Sequence, residues 1–314
     1  MKKLISIVAG CYNEEENIRE LYSRWCKVSV QYSQYDFEFV LIDNASEDKS
    51  FDIIKELAAN DSRLKGYRNT RNFGHIRSPY YAFLKAQGDA VVGMASDLED
   101  PPELIGSFIE KWEQGYKVAL GVREGSDETG IMPHLRDLYY TLITKASETE
   151  QIRNFTGFGL YDKEVMDQFR YMDDPYPYFR GTIADLGYKY ATIAFTKPVR
   201  SGGVSKGNVF VYIDSALLGL VNHSKIPLRA ATFLGIMLGI LSLGAASYVF
   251  VTKLLYWDNY QLGLAPLSIG VFLLFSVLFV LIGLLGEYIS LIMTHVIKKP
   301  RVVIEETVNI DDEF

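Results

Sequence analysis

Three short clusters carry the residue types that phosphate chemistry needs. The segment Ala95-Ser96-Asp97-Leu98-Glu99-Asp100-Pro101-Pro102-Glu103 crowds three carboxylates into a turn ahead of a helix that proline can initiate. Negative charge concentrated beside a diphosphate makes sense mainly when a divalent cation lies between them. The segment Asp43-Asn44-Ala45-Ser46-Glu47-Asp48 begins with a carboxylate able to accept hydrogen bonds from a base or ribose. The segment Cys11-Tyr12-Asn13-Glu14-Glu15-Glu16-Asn17 places a good N-cap ahead of acids that suit a helix dipole. Taken singly, the last two read equally well as plain helix caps. No glycine-rich loop of the Walker or dinucleotide type occurs in the chain, so any diphosphate must be held by metal and basic side chains.

All three clusters follow short apolar runs. Leu4–Ala9, Phe37–Ile42, Leu64–Tyr67, Ala90–Met94 and Val118–Leu120 alternate with helical patterns starting at Glu14 and Lys49. That alternation predicts βαβ units and a mostly parallel sheet, which binds ligands beyond the carboxyl ends of its strands. The clusters sit at those ends. The 314 residues, 48% apolar, suffice for a sizeable core, and the net charge of −7 excludes a general nucleic-acid binder. Two cysteines, Cys11 and Cys26, are too few for a disulfide framework and fit a reducing compartment. Met1-Lys2-Lys3 opens like a signal peptide, but the apolar run ends at Asn13 and the acids after it, as in a first strand.

Composition changes near Ala230. Residues 230–251 and 267–292 are largely apolar and long enough to cross a hydrocarbon core of ~30 Å, which predicts a transmembrane hairpin over 230–292. Tyr256, Trp257 and Tyr260 crowd the intervening loop like an interfacial belt. Lys225 and Arg229 precede the first span, while Lys298, Lys299 and Arg301 follow the second, so both termini are expected in the cytoplasm, on the inner face of the membrane. Glu287 falls near the cytoplasmic end of the second span, where it either snorkels or serves a function. Residues 207–229 carry a helical apolar stripe, Val209, Phe210, Ile213, Leu217, Leu220 and Val221, as in an interfacial helix. Gly235, Gly239 and Gly244 would permit close helix packing in a homo-oligomer. Residues 293–314 are read as a cytoplasmic tail.

Together these segments resemble family 2 glycosyltransferases, specifically the polyprenyl-phosphate branch with dolichyl-phosphate mannose synthase and bacterial undecaprenyl-phosphate glucosyltransferases. The elements are Tyr12-Asn13-Glu14-Glu15, Asp43 through Asp48, Arg71-Asn72-Phe73-Gly74, Gly88-Asp89, Asp97 through Glu103, Gly121-Val122-Arg123, Arg200, Ser205-Lys206, Pro227-Leu228-Arg229 and Gly286-Glu287-Tyr288. The resemblance implies a GT-A fold over residues 1–206, a nucleotide-sugar donor, inverting transfer, Mg²⁺ or Mn²⁺, and a polyprenyl phosphate acceptor in cell-envelope glycan synthesis. UDP is the expected nucleotide, because the bacterial members are the nearest in pattern. Tyr12, Asn13, Glu15, Asp43, Asn72 and Ser205 are expected to bind the nucleotide.

The chain departs from the family pattern at several of these positions. Ala95 replaces the first carboxylate of the Asp-x-Asp motif, and Glu99 stands where glutamine is usual. If the strand continues through 95, 97 and 99, the three share a face, which assigns the cation to Asp97 and Glu99. Gly10 replaces a proline, Asn44-Ala45 replaces Asp-Gly, and Thr156-Gly157-Phe158-Gly159-Leu160 replaces an Asp-Phe-Arg-Leu segment. Loss of that acid is compatible with catalysis, because a phosphomonoester has a second pKa near ~6 and arrives largely ionised. Asp97 is assigned to the catalytic machinery, Arg123 and Arg136 to the acceptor phosphate, and Arg200 and Lys206, flanking Ser201–Ser205, to the donor diphosphate. Tyr171, Tyr176, Tyr178 and Phe179 are placed to stack on a sugar, contact lipid or simply pack. Two other readings stay open: a relative that binds nucleotide sugar without turnover, and a processive polysaccharide synthase. The latter's Gln-x-x-Arg-Trp motif is absent, since Leu21 stands where the glutamine of Arg24-Trp25 should be.

Overall fold

The computed structural model describes residues 2–124, 152, 155–172, 174, 178–196 and 300–310, the backbone of 264–296, and scattered positions between 233 and 255. Arg136, Tyr176, Arg200, Ser205, Lys206, the 207–229 segment, Gly235 and Gly239 lie outside the described residues.

The strands are β1 (Leu4–Cys11), β2 (Asp36–Asp43), β3 (Leu64–Asn69), β4 (Ala90–Ala95), β5 (Val118–Arg123), β6 (Phe155–Asp162), β7 (Tyr190–Phe195) and β8 (Ile304–Val308). The helices are α1 (Ile18–Gln31), α2 (Ser50–Asn60), α3 (Arg77–Lys85), α4 (Leu104–Glu113), α5 (Lys163–Met172), α6 (Phe179–Asp185) and α7 (Leu264–Val296). One sheet of eight strands runs in the order β7-β5-β6-β4-β1-β2-β3-β8. The α/β expectation holds, but the sheet is mixed. β1, β2, β3 and β4 pair in parallel, as do β5 and β7, whereas β6 runs antiparallel between β4 and β5, and β8 antiparallel along β3.

Alternation along the strands feeds two apolar layers. Ile5, Ile7 and Ala9 of β1 and Phe37, Phe39 and Leu41 of β2 meet Leu21 and Trp25 of α1, Phe51 and Ile54 of α2, and Phe108 of α4. Val8, Val40 and Ile42 point to the other face, toward Tyr80 and Phe83 of α3, Val165 and Phe169 of α5, and Ile183 of α6. Helices on both faces explain why the central strands are almost wholly buried.

The segment read as a tail is not free: β8 extends the sheet beyond β3. Glu305 pairs with Arg68 (3.4 Å) and Glu306 with Lys55 (3.3 Å). Asn309 adopts a left-handed φ of +55°, and its Nδ2 donates to the carbonyls of Ala58 (2.7 Å), Asp61 (3.2 Å) and Leu64 (3.0 Å). This one amide ties the C-terminal strand to the end of α2 and the start of β3. Asn309→Gly keeps the permitted φ and removes the donor, so it is expected to lower stability by about 1–2 kcal/mol in urea unfolding of the full-length protein.

The described residues between 233 and 255 are helical, and α7 runs for 33 residues. Counting only described residues, no helix is long and apolar enough to cross a membrane. Many side chains of α7 lie outside the described residues.

Candidate active site

A cavity of about 830 Å³ opens at the carboxyl ends of β1, β4 and β5 and below the loop after β3. Its polar lining includes Tyr12, Glu14, Asn44, Asn72, Asp97, Asp100 and Arg123, and its apolar lining includes Val8, Phe83, Met94 and Phe158. Parallel strands leave such a crevice where successive connections leave the sheet on opposite faces.

The acidic turn forms one wall. β4 ends at Ala95, and Leu98 adopts φ +61°, so the strand does not continue through 97 and 99. The face those residues were expected to share does not exist, because a left-handed residue between them turns the chain. Asp97 lines the cavity; its Oδ1 accepts from the Glu99 N–H (3.1 Å), and its Oδ2 accepts from no described residue. Glu99 is turned to the Arg123 guanidinium (3.6 Å) and is not among the lining residues. Asp100, 3% exposed, accepts from Arg123 (3.2 Å) and from the Ala95 N–H (3.0 Å). Burial raises its carboxyl above the ordinary range, while the Ala95 N–H and Arg123 oppose that shift. Arg123 therefore lines the cavity as the tether of the acidic turn, and its Nε is buried without a partner.

Among the described residues no group of three or more His, Cys, Asp or Glu side chains is spaced to hold a metal. Mg²⁺ commonly takes one or two carboxylates and completes its shell with water and substrate phosphates. Asp97 fits that limited role, and Glu99, engaged by Arg123, does not share it in this arrangement.

The clusters after β1 and β2 form a lattice of loop contacts. The Asn13 N–H donates to Ser46 Oγ (2.9 Å), and the Glu47 N–H donates back to Asn13 Oδ1 (2.9 Å). The Glu15 N–H donates to Asp48 Oδ2 (3.1 Å), and the Lys49 N–H to Glu15 Oε2 (2.9 Å). Asn13 and Ala45 sit at φ +56° and +60°, bends that bring the two loops together. Asp43 is fully buried behind this lattice, accepting from the Ser46 N–H (3.1 Å) and the Ser46 hydroxyl. Desolvation raises its carboxyl, partly offset by Ser46 and Arg68. Of the nucleotide residues expected from sequence, Tyr12 and Asn72 line the cavity, whereas Asn13, Glu15 and Asp43 do not. Cys11, Glu14 and Asn44 line it without having been singled out. The Cys11 thiol, buried and beside Asp43, is raised well above its usual range and stays protonated.

The departures at Gly10 and Gly159 have packing causes, and that at Gly157 a backbone one. A Cβ on Gly10 would lie 2.7 Å from Pro79 Cγ, so this site accepts glycine where the pattern has proline. Gly10→Ala is expected to cost about 1–3 kcal/mol, read as a lowered thermal midpoint, and Pro79→Ala in the same molecule should recover most of it. A Cβ on Gly159 would lie 2.5 Å from the Ala119 carbonyl, which excludes a longer side chain there. Gly157 has φ +109° and open space beside it. Tyr178 and Phe179 line the cavity, Phe179 also stacking on Phe169 (4.8 Å) within an aromatic cluster, whereas Tyr171 is 87% exposed and does not line it.

The model of glycosyl transferase family 2 matches residues 6–170, just over half of the 314. The chain belongs to glycosyl transferase family 2. The matched region contains β1 from Ser6 onward, every strand from β2 to β6 and all the described polar lining named above. Relatives align almost end to end. An uncharacterized glycosyltransferase of Bacillus subtilis is 29% identical over 98% of this chain and 95% of its own length. The bactoprenol glucosyl transferase of Shigella phage SfII is 29% identical over 96% of this chain and 98% of its own. A mannosyltransferase from Pyrobaculum calidifontis, solved with GDP-mannose and Mn²⁺, is 16% identical over 96% of this chain and 89% of its own, with a TM-score of 0.47. This family 2 glycosyltransferase thus has its acidic turn, its loop lattice and most of its cavity inside the matched region, with Tyr178, Phe179 and Arg180 lining the cavity from beyond it.

Proposed function

We propose that this family 2 glycosyltransferase uses a GT-A-type domain to move a hexose from a nucleotide diphosphate, UDP-glucose being the first donor to test, onto a polyprenyl phosphate such as undecaprenyl phosphate. The observation that carries this reading is the alignment with bactoprenol glucosyl transferases over 96% of the chain, which includes the C-terminal apolar region as well as the catalytic domain.

The chemistry is inversion by direct displacement. An ionised phosphate oxygen of the acceptor forms a bond to the anomeric carbon, and the bond from that carbon to the nucleotide diphosphate breaks on the opposite face. No proton has to be removed from the nucleophile when the acceptor is dianionic, which agrees with glycine at 157. Asp97, with Mg²⁺ or Mn²⁺, holds the donor diphosphate, and the bound ion supplies neutralisation of the leaving charge. Asp100 and Arg123 hold the turn that aims Asp97. Arg136, Arg200, Ser205 and Lys206 keep their roles at the acceptor phosphate and the donor diphosphate as part of this proposal.

The enzyme works at the inner face of the cytoplasmic membrane, anchored by the hairpin over 230–292. Exposed apolar side chains lie in both segments, among them Phe233, Ile240, Leu241, Ile282 and Ile289. α7 at 33 residues extends about 50 Å, more than a ~30 Å core requires. Because β8 follows α7 and shares the sheet of β1–β5, an even number of crossings between them suits this topology.

The test incubates full-length protein, undecaprenyl phosphate, Mg²⁺ and a panel of nucleotide sugars, with mass spectrometry of the lipid fraction. A glycosylated lipid phosphate is expected. Nucleotide release with unchanged lipid would refute the acceptor, and no reaction with any donor would refute transfer.

A further inference from the structure

The loop after β3 is held by a chain of three amides, two of which, Asn44 and Asn72, have backbone partners that set their orientation. Asn44, 6% exposed, takes the Phe73 N–H on its Oδ1 (2.9 Å), and its Nδ2 donates to the Gly74 carbonyl (3.2 Å). A backbone donor on one side and a backbone acceptor on the other leave a single orientation for this side chain. Asn69 completes the inner end, its Nδ2 donating to Asn44 Oδ1 (2.9 Å) and to Ser78 Oγ (2.8 Å). At the outer end Asn44 Nδ2 donates to Asn72 Oδ1 (2.9 Å), and that oxygen also takes the Gly74 N–H (2.8 Å). With its oxygen consumed twice, Asn72 turns its Nδ2 away from the loop. Asn72 lines the cavity, and this Nδ2 donates to no described residue.

The position of that amide fits a nucleobase. Asp97 follows β4 and Asn72 follows β3, with β1 and β2 between them in the sheet. Three strand spacings separate the two, about 14 Å, the order of distance between a diphosphate and the far edge of its base.

We infer that Asn44 is a positioning residue that fixes the Asn72 amide with its N–H pair toward the cavity, and that Asn72 selects a nucleobase presenting a carbonyl oxygen over one presenting an amino group. The inference rests on the nucleotide-sugar reading above and names the base chemistry of that donor. It also accounts for asparagine at 44: a carboxylate there would set lone pairs against Asn72 Oδ1 and the Gly74 carbonyl in a buried position.

UDP and CDP separate the cases, because their bases have the same size and differ between a carbonyl and an amino group at one edge. Affinities of both nucleotides are measured by calorimetry on the full-length protein with Mg²⁺. The wild type is expected to prefer UDP by about tenfold or more. Asn72→Asp keeps an oxygen for Asn44 and Gly74 and replaces the outward donor by an acceptor, so the UDP:CDP ratio should fall by about tenfold. Added charge repels both diphosphates alike and leaves the ratio alone. Asn44→Asp should also lower the ratio, by releasing the Asn72 amide to turn. An unchanged ratio in Asn72→Asp overturns the selection, and a changed ratio there with wild-type discrimination in Asn44→Asp overturns the positioning role. If Asn44→Asp fails to fold, Asn72→Asp still decides the selection, and Asn44→Gln, which displaces the amide while keeping it neutral, decides the positioning. Wild-type protein that binds neither nucleotide counts against the donor reading itself.

Discussion

Replacing Asp97 by asparagine is expected to lower kcat/KM for sugar transfer by about 10²–10³-fold while leaving the thermal midpoint nearly unchanged. The asymmetry follows from its surroundings. Asp97 lines the cavity and uses one oxygen on the Glu99 N–H, an acceptor role that the asparagine carbonyl can retain. What asparagine cannot retain is the negative charge that holds a cation against the donor diphosphate. The loss should appear chiefly in kcat at saturating metal, and added Mn²⁺ should recover part of it if weakened metal binding is the cause. Glu99→Gln serves as the comparison: its carboxylate faces Arg123, so a much smaller loss is expected there than at Asp97. Equal losses at the two positions would restore the shared-ligand assignment that the turn at Leu98 argues against.

The second large effect is expected at Arg123. Its guanidinium sits between Asp100 and Glu99, whose side chains are 4% and 14% exposed. Removing the cation strands a buried carboxylate whose ionisation burial already opposes. Arg123→Met should therefore destabilise the protein by about 3 kcal/mol, and the turn carrying Asp97 should lose its alignment. The pairing makes a cycle possible. Asp100→Asn in the same molecule removes the stranded charge and should return much of the stability without returning activity. Arg123→Lys supplies charge without the fork and should rank between wild type and Arg123→Met. Below the pH where Asp100 protonates, the penalty of Arg123→Met should shrink, because a raised carboxyl opposes folding only while it is ionised.

Much of this arrangement was legible in the sequence, and the parts that were not share a physical cause. Apolar alternation gave the first five strands, and each ends one to three residues later than the apolar run: β2 reaches Asp43 and β5 reaches Arg123. Polar residues at strand ends break the hydrophobic pattern while the backbone ladder continues. β6 escaped notice because Gly157 and Gly159 weaken its signature, yet its close approach to β5 is what demands Gly159. β8, with the sequence Ile-Glu-Glu-Thr-Val, is an edge strand recognisable only from its partners Arg68 and Lys55. The same limit applies at the site. Asn13, Glu15 and Asp43 were expected to bind the nucleotide and do not line the cavity; Asn13 and Glu15 instead bond across to a loop more than thirty residues away, and local sequence does not reveal such pairing. The assignment of Asp97 and Glu99 to one face assumed a continuing strand, and one left-handed residue overturned it.

The central claim is that an already ionised lipid phosphate attacks the donor sugar, with no carboxylate at 157 to remove a proton. The most direct measurement is kcat/KM for the acceptor between pH 5 and pH 9, with undecaprenyl phosphate and undecaprenol run in parallel on the full-length enzyme. Transfer to the phosphate is expected to rise about tenfold per pH unit up to a break near ~6, where the phosphate loses its second proton, and then to stay level, with no product from the alcohol. Glycosylated undecaprenol, or a rate to the phosphate that keeps climbing well above that break, would contradict it.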